Sequence, residues 1–150
     1  MKLLKKIKPI FFAGLMSMTF FAQAEEKQCL TIHIPQESPV AFKQAINIAN
    51  NLPKQLGEGV VDVEILAQGP GLKLLTKGSP ETDRISSLIE QGKSTMDGGT
   101  KFKACAATIA GIKKRTGKEP VLIDGVEITY PGAVARVLEN HKRGCAYIRI

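Results

Sequence analysis

Hydrophobic and polar positions along this chain switch repeatedly between a period of two and a period of three to four. Residues 30–34 (LTIHI) are short and β-branched and are closed by Pro35, the pattern of a strand. Across 41–56 the apolar positions Phe42, Ala45, Ile46, Ala49, Leu52 and Leu56 fall on one helical face. Pro53 is expected to end or kink that helix, with Gly57 and Gly59 in the turn beyond. Residues 60–67 (VVDVEILA) alternate as a second strand and run into Gln68-Gly69-Pro70-Gly71.

Ser79-Pro80-Glu81 marks a helix start: a capping hydroxyl, a proline in the first turn and an acid near the dipole's positive end. Ile85, Leu88 and Ile89 form its inner face, and Gly92 ends it. After a polar loop, 101–104 is a short strand that leads into Cys105, and 106–115 is a helix with basic residues in its last turn. Residues 121–123 read as a strand, 131–140 as a helix with Val134, Val137 and Leu138 inward, and 145–150 (CAYIRI) as a closing strand. Five strands alternating with four helices predict an α/β fold with a mainly parallel sheet covered on both faces. No repeat or linker divides it. Ligands of such a sheet bind at the loops beyond the carboxyl ends of the strands, here after Ile34, Ala67 and Ala104.

Residues 1–24 follow a different pattern. Lys2, Lys5, Lys6 and Lys8 precede a nearly continuous apolar run (PIFFAGLMSMTFF), and Ala22-Gln23-Ala24 supplies a cleavage motif. This is the three-part form of a secretory signal peptide. The apolar run falls short of the roughly 20 residues that span a bilayer. Cleavage after Ala24 is expected to leave a periplasmic chain of residues 25–150 with no membrane association. The leader also carries most of the basicity. The formal charge is +7, but without those four lysines 17 basic and 14 acidic residues remain, a net +3. With two Tyr and no Trp to stack on bases, nucleic acid is not an expected partner.

Cys105 is the sharpest candidate for chemistry. At a strand-to-helix junction, free N–H groups and the positive end of the helix dipole favour a thiolate, which is both nucleophile and sulfur carrier. The competing reading is a small buried hydrophobe, since free cysteine is commonly buried. Cys29 and Cys145 each precede a strand, so both fall at the amino edge of the sheet, away from Cys105. They are a possible disulfide if their Cα atoms lie within about 7 Å. Gly69, Pro70 and Gly71 are a candidate binding turn, where glycine lets backbone approach an anion and Lys73 adds charge. The bland alternative is an ordinary tight turn. His33 reads as a buried, hydrogen-bonded strand residue and His141 as a solvated helix-end residue. No Cys/His spacing fits a metal site, no nucleophile elbow is present, and no cofactor motif is expected.

Four stretches together resemble the DsrE/DsrF-like family, in particular its exported single-domain members: 41–56 (AFKQAINIANNLPKQL), 61–75 (VDVEILAQGPGLKLL), 102–112 (FKACAATIAGI) and 144–149 (GCAYIR). The resemblance covers nearly all of residues 25–150. It implies a three-layer α/β/α sandwich around a five-stranded, mainly parallel sheet, and a homo-oligomer, trimeric or hexameric. It further implies sulfur relay in which Cys105 carries persulfide sulfur without metal or organic cofactor, exchanged with small sulfur species or a thiol partner protein. Gly69, Pro70 and Gly71 match the family's turn. Gln68 departs from it: many relatives carry His there, and Gln supplies no titrating proton.

Overall fold

The computed structural model describes residues 27–57, 59–94 and 99–150. The leader, its cleavage site and residues 95–98 of the polar loop after Gly92 lie outside the described residues. Among the described residues there are five strands: β1 (Gln28–Ile34), β2 (Val61–Ala67), β3 (Thr100–Cys105), β4 (Glu127–Thr129) and β5 (Ala146–Arg149). They form one sheet in the order β4-β3-β2-β1-β5, and every pairing is parallel. Four α-helices connect them: α1 (Pro39–Leu56), α2 (Thr82–Ser94), α3 (Ala106–Thr116) and α4 (Ala133–Lys142). A 3-10 segment, Gly69–Leu75, follows β2. The expected three-layer α/β/α sandwich is thus the fold, with the sheet entirely parallel.

One face of the sheet is apolar. Ile32, Ile34, Val63, Ile65 and Phe102 pack there against Phe42, Ala45 and Ile46 of α1 and Ile85 of α2. The first turn of α1 is fixed by Ser38, whose hydroxyl accepts from the Ala41 amide. Of the end or kink expected at Pro53, the end does not occur: α1 continues to Leu56. Proline removes the N–H that would bond the carbonyl four residues back. Here the Ala49 carbonyl accepts instead from the Thr100 hydroxyl of β3 at 3.4 Å.

The opposite face is polar, and it inverts α4. Val134 and Leu138 were expected inward, yet they are 60% and 59% exposed, and the buried residues of α4 are Ala133 and Asn140. The cause lies in β2. Glu64 points to this face and is buried, so it needs partners. Arg136 of α4 donates to it twice, at 2.8 and 2.7 Å. Asn140 donates to Glu64 at 2.8 Å and to Thr31 of β1 at 3.0 Å. The helix therefore turns its polar stripe inward and its apolar stripe outward.

The expected strand at 121–123 is also displaced. That segment contributes a single antiparallel bridge from Leu122 to Thr76 beside the 3-10 segment, and the true fourth strand is Glu127–Thr129. Cys29 and Cys145 are joined in a disulfide at the amino edge, with Cα atoms 4.7 Å apart and a sequence separation of 116. Closing so long a loop restricts the unfolded chain, an effect of about 4–5 kcal/mol in the chain-entropy model.

The Glu64 network sets a pH dependence. Burial pushes the Glu64 carboxyl up, but hydrogen bonds from Arg136 and Asn140 and the charges of Arg136 and Lys103 hold it below its ordinary value. A depressed acid stabilises the fold above its unfolded pKa, and that contribution is lost as pH falls through the folded value. Replacing Arg136 by Ala strands a buried carboxylate. The expected cost is about 3 kcal/mol at neutral pH, shrinking toward acid as Glu64 protonates, and denaturant unfolding at several pH values measures it.

Candidate functional site

The carboxyl ends of β1, β2 and β3 are neighbours, and the chain leaves each by a different device. β1 stops at Pro35. β2 passes through Gln68 into the 3-10 segment, with the Gln68 amide donating to the Ile34 carbonyl at 3.1 Å. A Cβ on Gly71 would lie 2.2 Å from that same carbonyl oxygen, so only glycine allows the segment to cross β1 so closely. Gly69 adds a left-handed φ of +54°. β3 passes directly into α3, with Cys105 as the capping residue.

This crossing brings two of the candidate features together. The Gly69 amide donates to the Thr108 hydroxyl at 2.8 Å, and Thr108 helps to lower the pKa of Cys105. The Ala107 and Thr108 amides of the first turn of α3 favour the ionised sulfur in the same direction. From a third loop, after β4, the Ala133 amide donates to Cys105 Sγ at 3.3 Å. Cys105 is a free thiol, buried to 4% exposure. Burial pushes the thiol up. The Thr108 hydroxyl and the Ala133, Thr108 and Ala107 amides outweigh it, so the thiol lies below its ordinary value. These groups favour the ionised sulfur against the effect of burial.

Gly132 closes the site from the same third loop. A Cβ there would sit 3.3 Å from Cys105 Sγ and 3.5 Å from Ala107 Cβ. The peptide bond before Pro131 is cis. Pro70 lines the neighbouring cavity and Gly71 permits the close crossing. Cys29 and Cys145 stand at the far edge of the sheet, in their disulfide.

No protein-family model matches this chain, and no curated protein is significantly similar to it. Among solved structures it is similar to MTH1491 from Methanobacterium thermoautotrophicum, a protein of unknown function. The TM-score is 0.68 at 24% identity, over 83% of this chain and 100% of that one. At that identity the likeness bears on the α/β fold alone.

His33 is buried, as its strand position implied, and its Nδ1 lies 2.8 Å from the Tyr147 hydroxyl. Burial is the main cause lowering its pKa; the Gln68 side chain opposes this and the Arg149 charge adds to it. His33 is therefore neutral at pH 7 and supplies no cation to the thiolate. Among the described residues, no group of three His, Cys, Asp or Glu is placed to hold a metal ion. No helix among them is long and apolar enough to cross a membrane.

Sequence reasoning missed Thr108 and the loop at Gly132 and Ala133. Thr108 had a local signal, since it stands three residues after the capping cysteine, where a side chain can reach back to the cap. The Thr108 hydroxyl accepts from Gly69 and favours the ionised sulfur. Thr108→Val keeps the shape and removes that hydroxyl. The expected result is a higher Cys105 pKa and about tenfold slower alkylation at neutral pH, the equivalent of one hydrogen bond to a charged atom. A pH series of alkylation rates with the disulfide intact checks it.

Proposed function

We propose that this is an exported α/β protein that binds or carries sulfane sulfur, as a persulfide, on Cys105. The observation that carries the reading is the placement of Cys105 as the cap of α3, where the Ala133 amide from another loop donates to its sulfur and neighbouring groups of the first turn help to hold the thiol below its ordinary pKa. A persulfide is a more acidic anion than a thiol, and a dry pocket of fixed N–H and O–H dipoles suits it. The chemistry balances without a cofactor. The Cys105 thiolate attacks the outer sulfur of a donor persulfide, the donor's S–S bond breaks, and the donor leaves as a thiolate. Partners are then small sulfur species or a thiol protein.

The Cys29–Cys145 disulfide agrees with an oxidising compartment and so with export to the periplasm. Tyr130, Val134 and Leu138, all exposed, agree with a homo-oligomer that covers them. A second reading has one observation in its favour: at 4% exposure, Cys105 is enclosed enough to be a packing residue in a binding or assembly module.

Intact mass after exposure to inorganic polysulfide separates the two readings. The carrier gains mass in sulfur steps that map to Cys105, reverse with reductant and vanish in Cys105→Ser, whose melting temperature stays near that of the parent. A folded parent protein that takes up no sulfur leaves the module reading.

A further inference from the structure

Thr108 has a second role at the edge of the site. With Ala107, it lines a cavity of about 510 Å³ between the 3-10 segment and α3. The other walls include Gly69, Leu72, Lys73, Gly111 and Arg115. The volume lies within the range of about 300–1,000 Å³ in which small molecules bind.

Two features give this cavity a chemical preference. The first is charge. Lys73 is paired with Glu37 at 2.6 Å, whereas Arg115 has no ion-pair partner among the described residues. One positive charge at the cavity is therefore uncompensated. The second is room. Gly111 lies inside α3, where glycine costs about 1 kcal/mol relative to alanine. A Cβ added there would meet only Arg115 Nη1, at 3.7 Å. The bare backbone leaves space in the wall, and the guanidinium folds back over it.

A guanidinium with a free fork matches a carboxylate in two parallel hydrogen bonds. Ala107 and Thr108 form cavity wall and thiolate pocket together, so a ligand anchored at Arg115 rests against the residues that hold Cys105. We infer that the cavity seats a low-molecular-weight thiol or persulfide bearing a carboxylate, such as an amino-acid or peptide thiol, held by Arg115. That this ligand is the sulfur partner of Cys105 rests on the carrier reading above. In that exchange the donor's outer sulfur passes with its proton to the Cys105 thiolate, and the donor departs as thiolate, with no other oxidant or reductant.

The test uses Cys105→Ser, in which no transfer can occur, and S-methylglutathione, which has carboxylates but no free thiol. Calorimetric or NMR titration is expected to give a Kd below about 1 mM. Arg115→Gln should weaken binding about tenfold or more, the loss of a charged hydrogen-bonded contact. Gly111→Leu should abolish binding by filling the cavity while leaving the melting temperature equal or higher, because leucine favours helix over glycine. The diester of the same probe, with its carboxylates blocked, should bind at least about tenfold more weakly. Absence of binding at millimolar concentration, or binding indifferent to both substitutions and to the diester, overturns the inference. Polysulfide loading of the unsubstituted protein is read separately. Loading without binding removes this seat alone, whereas binding without loading keeps the seat and removes the ligand's role as sulfur partner.

Discussion

The hydrogen bond from the Gly69 amide to the Thr108 hydroxyl ties together two loops that are 39 residues apart in sequence. It forms only because Gly71 lets the 3-10 segment cross the end of β1 at a distance no other residue permits. The Thr108 hydroxyl then has a lone pair engaged and favours the ionised form of Cys105. The same contact forms one wall of the adjoining cavity. The geometry of the thiol, the opposition to its burial and the shape of the cavity all follow from this one junction.

The two faces of the sheet are stabilised by different physics. On the α1 and α2 face, apolar side chains leave water, and the pattern is the ordinary one of a parallel α/β core. On the other face a buried carboxylate, Glu64, is compensated by Arg136 and Asn140. That network fixes the rotation of α4. Since Ala133 is the first helical residue of α4 and its amide donates to Cys105, the orientation of α4 also fixes that hydrogen bond to the sulfur. Glu64 thus acts on the site at a distance, by holding the helix that reaches it.

Local periodicity carries most of the element order. One-faced spacing at Phe42, Ala45, Ile46 and Ala49, alternation through 61–67, and glycine at the turns are signals that nearby residues decide. The failures have non-local causes. Pro53 stays helical because a hydroxyl from β3 serves the Ala49 carbonyl it would otherwise orphan. Val134 and Leu138 face outward because a charge on β2 faces α4. The apolar run at 121–123 packs beside the 3-10 segment, so the strand begins only at Glu127. At the site, the strand-to-helix position of Cys105 is legible, as is the need for glycine after β2. The contact between them is not, because it depends on how closely two loops from different strands approach. The third loop, at Gly132 and Ala133, leaves no trace in the sequence near Cys105.

Everything proposed for Cys105 requires a buried sulfur to react while the fold is intact. The most direct test is the stoichiometry and rate of alkylation of the native protein by a small reagent at neutral pH, without reductant, followed by mass mapping. One adduct on Cys105 at a rate at least equal to that of a free thiol, with Cys29 and Cys145 unlabelled, is the predicted result. Labelling of Cys105 only after denaturation would contradict it, and would make the cysteine a packing residue of the core.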